Sequence, residues 1–216
     1  MTEEERRYID EYLAKAEANK RFFSNACRAY RERLTCAMFL RALGVPFALE
    51  ELISVPDGPP DRIDVKFREA RFQVCERFDP GRRRQAEANA RVEQLTAAKT
   101  LDDALLGYPS DYVPMSHAEA YSRITEALAK KASSYGVAAC AKLDALVHMQ
   151  LHWRYLDSGS PLAGYEALLH QGWRSVSLVL RFSSRVVYAK ESAPTFLREY
   201  VGQTKSWSGE EGFFDL

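Results

Sequence analysis

No CxxC pair, no long apolar run and no surplus of charge of either sign occur in this chain of 216 residues. Its four cysteines, Cys27, Cys36, Cys75 and Cys140, are not spaced as the paired thiolates of a zinc finger, and two fall in stretches that read as helix. That argues against both a structural zinc site and a disulfide framework, and a reducing cytoplasm is the expected setting. No apolar run approaches the length of a membrane span, and Thr2-Glu3-Glu4-Glu5 stands where a secretory leader would be basic and then apolar, so a soluble protein without a membrane partner is expected. Lys+Arg and Asp+Glu both number 30, which excludes coating nucleic acid by bulk charge. A Gly-rich phosphate loop with its Lys, GxSxG and HExxH are all missing. Repeats, low-complexity tracts and convincing linkers are missing too. The length suits a single domain over 1–216, with a helical extension over 1–19 and a short tail over 206–216.

Aromatic and aliphatic residues are ample, which excludes wholesale disorder. The charge, balanced in sum, is unevenly placed. From Lys20 to Arg41 six basic residues stand against one acid, Glu32, and residues 61–91 are again net basic, with the run Arg82-Arg83-Arg84. Such a run at a helix start reads either as a solvated face or as a set of phosphate contacts.

Tyr8, Tyr12 and Leu13 predict an amphipathic helix over 3–19. Phe23, Cys27, Tyr30, Leu34 and Met38 recur at steps of three and four, which predicts a helix over about 20–43 packed by that stripe and ended by Gly44 and Pro46. Residues 47–55 read as strand. Helical patterns follow to about 98 and from Thr100, then loop over 107–114. Ser116 with Glu119 three residues on opens a helix through Tyr121, Ile124 and Leu128 that Gly136 closes. Residues 143–151 alternate as a strand. A short helix is predicted near 162–170, a hairpin over 174–189 turning at Ser183-Ser184, and a last helix over 194–201. The order predicts an α/β fold with a mixed central sheet flanked by helices.

The most informative stretch is DRIDVKFREARFQVCERF, residues 61–78. Ile63, Val65 and Phe67 alternate on one side of Arg68-Glu69, and Ala70, Phe72, Val74 and Phe78 on the other, which predicts two strands and a tight turn. An even-numbered turn sets Asp64 opposite Gln73, Lys66 opposite Arg71 and Ile63 opposite Val74. An odd one would set greasy against polar faces. The polar face then carries Arg62, Asp64, Lys66, Arg71, Gln73 and Cys75. It reads as the wet side of a half-buried hairpin or as a carboxylate beside Gln-x-Cys within reach of a hydrated divalent cation.

A helix bearing an acid, a strand, an Asp on a second strand and a short polar triplet on a third resemble the restriction-endonuclease-like superfamily with its Pro-Asp…(Asp/Glu)-x-Lys, or PD-(D/E)XK, motif. More closely, RALGVPFALEELISVPDGPPDRIDVKFREARFQVCERFDPGRRR resembles a family of bacterial proteins of unknown function described as endonucleases. The resemblance implies a restriction-endonuclease-like fold, DNA as partner, and Mg2+ or Mn2+ as cofactor; a homodimer is left open. It implies Asp64 as the metal carboxylate, Gln73 in place of the acidic residue, and Glu32 as a helix-borne acid acting through water, against the reading of Glu32 as an ion pair with Arg28. Cys75 stands where the motif has Lys and carries no fixed positive charge, so Lys66 becomes the substitute on the same face, or the site is impaired and the protein binds nucleic acid without cutting it. Arg71, Arg82, Arg83 and Arg84 are the candidate nucleic-acid contacts. His148 and His152 flank Gln150 on one side of the predicted strand, but no carboxylate or Cys is placed to complete a transition-metal site.

Overall fold

The structure, a computed structural model, describes residues 2–56, 62–105, 113–151, 154–157, 159–180 and 183–206. In chain order its elements are α1 (Glu3–Phe22), α2 (Arg28–Leu43), β1 (Ile53–Ser54), β2 (Val65–Phe67), β3 (Ala70–Phe78), α3 (Arg84–Ala97), α4 (Leu101–Leu105), β4 (Val113–Met115), α5 (His117–Tyr135), α6 (Val137–Cys140), β5 (Asp144–Gln150), β6 (Arg154–Leu156), α7 (Glu166–Leu169), β7 (Ser175–Leu180), β8 (Ser183–Ala189), α8 (Thr195–Arg198) and β9 (Thr204–Ser206). They cluster as two compact units, Met1–Arg31 with Pro80–Asp111, and Glu32–Asp79 with Tyr112–Leu216. The first unit joins two stretches that the hairpin separates, so no linker marks the division in the sequence.

In the first unit a capping box opens α1: the Glu5 N–H donates to Thr2 Oγ1, and the Thr2 N–H returns a bond to the Glu5 carboxylate. Ile9, Ala16, Leu95 and Ala104 form the unit's small core, with Tyr12, Leu13 and Val92 packed against it.

The second unit holds a seven-stranded mixed sheet of order β1-β2-β3-β5-β7-β8-β9. β3, β5 and β7 are mutually parallel, and β2 and β8 run against them. The alternation over 143–151 marks one of two packed faces of β5: Ala145, Val147 and Met149 lie in the cluster of α5 and Leu146 in that of α2. On one face α2 packs Cys36, Phe39, Leu40 and Leu43 against Val65, Phe67, Phe72 and Leu146. On the other, α5 packs Tyr121, Ile124 and Leu128 against Ala145, Val147, Trp173 and Leu178. Ser116 caps α5 by accepting from the Glu119 N–H, and Gly136, at φ 78°, ends it in a conformation costly for residues with a Cβ.

The stripe expected over 20–43 is buried only in its second half: Met38 is buried and Leu34 packs against the core, whereas Tyr30 is exposed and Phe23 and Cys27 half-buried, and the most deeply buried residues are Cys36, Phe39 and Leu40. The chain leaves the helix after Phe22 through a 3-10 turn at Asn25–Cys27, so the phase of the apolar repeat is not carried across the break. Residues 47–55 supply only the edge strand β1, because Leu49–Glu51 winds into a 3-10 turn held by the Ala48 N–H on the Glu51 carboxylate. Ser183 and Ser184 belong to β8 rather than to the turn, since Leu180 pairs with Ser183. The tail beyond residue 206 and His152 lie outside the described residues.

Candidate functional site

The hairpin has the register that the alternation demands: Val65 pairs with Phe72, Lys66 with Arg71 and Phe67 with Ala70. Its two-residue turn needs a positive φ, which Arg68 adopts at 50°. Arg68 is held there by a 2.8 Å bond from Nη2 to the Pro46 carbonyl and by its guanidinium lying 4.6 Å from the Phe67 ring centroid.

Asp64 sits where β2 bends away from β3. Its N–H donates to the Phe72 carbonyl at 2.9 Å, while its Oδ2 accepts the Val74 N–H at 2.8 Å and a bond from Gln73 Nε2. Both side chains are buried, Asp64 at 5% and Gln73 at 2% exposure. Asp64 and Gln73 thus meet just past the paired residues of β2; Ile63, expected opposite Val74 on the apolar face, packs instead in the cluster of α5 while Val74 packs in that of α2. Lys66 and Arg71 are exposed, and Arg62 stands 4.4 Å over the Tyr135 ring.

Helix α5 adds two groups that the reading of the hairpin omits. The Tyr135 hydroxyl donates to Gln73 Oε1 at 3.0 Å, and Lys131 Nζ lies 3.4 Å from the Val74 carbonyl. Cys75 is half-buried with Sγ 3.8 Å from the Ala127 carbonyl. Burial pushes its thiol up, and the positive charges of Lys131 and Arg77 oppose that shift. The position that lacks the motif lysine therefore has a lysine beside it, contributed by another element. A signal was available: the apolar stripe Tyr121, Ile124, Leu128 continues at helical spacing to Lys131 and Tyr135, which places polar groups on a packed face.

Glu32 is half-buried on α2, one turn before the fully buried Cys36. Burial first, and then the negative charges of Asp64 and Glu32, hold the Cys36 thiol well above its ordinary range. His148 has Nδ1 3.1 Å from Thr35 Oγ1 and 3.1 Å from Gln150 Nε2, which in turn donates to Glu76. Arg82, Arg83 and Arg84 belong to the first unit. There Arg82 pairs with Glu87 at 2.7 Å, Arg84 lies over Phe23, and Arg83 is exposed.

Among the described residues no group of three or more His, Cys, Asp and Glu side chains is placed to hold a metal ion. The hairpin donors nevertheless suit a hydrated hard cation, which keeps several waters and takes one or two carboxylates with substrate oxygens. Asp64 offers a carboxylate. Gln73 would offer an oxygen at the same place once its amide turns over and Nε2 meets the Tyr135 hydroxyl, which accepts as readily as it donates.

A family profile described as "Putative endonuclease, protein of unknown function (DUF1780)" matches residues 4–210. A solved structure of the protein of unknown function PA4535 from Pseudomonas aeruginosa strain PAO1, described as "Monooxygenase Superfamily", is 29% identical and superposes with a TM-score of 0.65 over 96% of this chain and 97% of that one. No curated protein matches. Among the described residues no helix is long and apolar enough to cross a membrane.

Proposed function

The chain belongs to the DUF1780 family, and from that membership we propose that it is a magnesium- or manganese-dependent DNA endonuclease of restriction-endonuclease-like type whose cationic group comes from α5. The observation that carries this reading is the contact of Asp64 with Gln73 on neighbouring strands, with Lys131 against the same strand at Cys75. The order of helix α2 with Glu32, β1, β2 entered from Asp64, and β3 with Gln73-Val74-Cys75 supports it. So does the cationic rim of Arg62, Lys66, Arg71 and Lys131, whose charges suit a phosphate backbone.

In this reading Asp64 and Gln73 hold the cation, and Glu32 reaches it through water. Bound there, the ion supplies a water of lowered pKa and counter-charge for the phosphate. Lys131 meets the negative charge that gathers on the phosphoryl oxygens, in place of the lysine that Cys75 cannot mimic. Tyr135 holds the amide of Gln73 in place.

A second reading rests on the same bonds: the Val74 N–H and the Gln73 amide both engage Asp64 Oδ2, which makes a clasp for the hairpin in a protein that binds DNA without cutting it. Plasmid DNA with Mg2+ or Mn2+ separates the two. The nuclease reading expects metal-dependent nicking that Lys131→Ala lowers about 10²-fold and Lys66→Ala leaves nearly intact. Salt-sensitive DNA binding with no nicking in either metal leaves the binding protein.

A further inference from the structure

The first unit contains a cavity of about 310 Å³ between α1 and the segment that opens α3. That is the lower end of the range in which small ligands are held. Of its lining residues Ala16 and Ala88 are the buried ones and so form its floor. Its walls carry four basic side chains, Lys15, Arg82, Arg84 and Arg91, and the acid Glu87, which pairs with Arg82; Arg91 also donates to Gln94 at 2.8 Å. Two rings complete it. Phe23 stacks under the Arg84 guanidinium at 4.5 Å, and Tyr12 has Lys15 Nζ 5.8 Å from its centroid.

Cations beside flat π-surfaces in a hollow of this size suit one nucleotide better than a duplex: the cations meet a phosphate, and a base stacks on a ring or on a guanidinium plane. We propose that this cavity binds a single nucleotide through its terminal phosphate, with Lys15, Arg84 and Arg91 on the phosphate and the base against Tyr12. The source is a free nucleoside monophosphate or the 5′-phosphorylated end of a single strand. The assignment uses none of the hairpin residues, and it stands or falls apart from cleavage.

The test is fluorescence anisotropy of the full chain with a short single-stranded oligonucleotide carrying either a 5′-phosphate or a 5′-hydroxyl, competed with deoxyadenosine monophosphate and with inorganic phosphate. The phosphorylated end should bind at least about tenfold more tightly, and Lys15→Ala and Arg91→Ala should each lose about tenfold. Ala88→Leu, which fills the floor and removes no charge, should abolish the preference while far-UV circular dichroism stays unchanged. Lys142→Ala, which removes an exposed cation of the second unit, should bind as wild type. Binding of the free nucleotide alone assigns a small-molecule site; binding of the phosphorylated end assigns a strand-end site. Equal affinity for both oligonucleotides with no competition by the nucleotide, competition by inorganic phosphate as strong as by the nucleotide, or an unaffected and folded Ala88→Leu would each overturn the proposal.

Discussion

Asp64 and Asp144 are both buried aspartates that grip strand β3 from opposite edges, each taking one of its backbone N–H groups on Oδ2, from Val74 in the first case and from Arg71 in the second. They differ in what else holds them. Asp144 is clamped by the Arg174 guanidinium through Nε at 3.0 Å and through Nη2, and it accepts the Ser175 hydroxyl at 2.8 Å. The bonds described for Asp64 come from neutral amides. A carboxylate matched by its own guanidinium has its counter-charge built in and serves as a lock between strands. The amides that engage Asp64 Oδ2 bring no formal charge of their own. Burial alone does not tell a structural carboxylate from a candidate ligand.

The sharpest way to break this comparison is to neutralise each aspartate in turn. Asp64→Asn should reduce metal-dependent plasmid nicking to background and remove Mn2+ binding measured by calorimetry, while urea denaturation shows a loss of about 2 kcal/mol, because the amide bonds to the carboxylate are charge-assisted and asparagine keeps one acceptor oxygen. A fully active Asp64→Asn would end the nuclease reading.

Asp144→Ala should have the opposite profile, costing about 3–5 kcal/mol in urea denaturation because Arg174 is left uncompensated, with nicking per folded molecule unchanged. An equal loss of stability at both positions would erase the distinction.

Lys131→Ala tests the neighbourhood of Asp64 rather than the carboxylate. Besides its roughly 10²-fold loss of rate, adding Cys75→Lys to the same chain should return part of the activity by restoring a cation to the third strand. If the double variant gains nothing, the lysine of α5 does not stand in for the one missing from the hairpin.

The smallest effect is expected at His117, which touches neither aspartate. Its ring is buried, its Nδ1 lies 2.7 Å from Ser160 Oγ, and burial followed by the positive charge of Arg185 holds its pKa below the ordinary 6.5, against the opposing effects of the Ser160 carbonyl and Asp157. The unfolded chain therefore binds the proton more readily, so this contribution to stability is complete above pH 6.5 and is lost as pH falls through the lower folded value. His117→Gln should flatten the fall in thermal stability below pH 6.5; an unchanged slope would assign the fall to other groups.

Alternation in residues 63–78 was enough by itself to determine the hairpin, its even turn and the meeting of Asp64 with Gln73, because a strand has period two and a one-residue slip would turn every apolar side chain outward. The apolar run of β5 and the cap of α5 were legible for similarly local reasons. The buried face of α2 was legible only at Leu34 and Met38, since the short break at Asn25–Cys27 separates them from Phe23 and Cys27. The division into two units was not legible, its first member being assembled from stretches separated by the hairpin. The site divides in the same way. Asp64, Gln73 and Cys75 share a local pattern. Lys131 and Tyr135 reach them only because α5 packs across β3, and Arg174 finds Asp144 only because β5 and β7 lie side by side. Periodicity specifies which face a side chain takes within its own element. Which charges then share a buried space depends on contacts between elements far apart in the chain, and only the tertiary structure decides those.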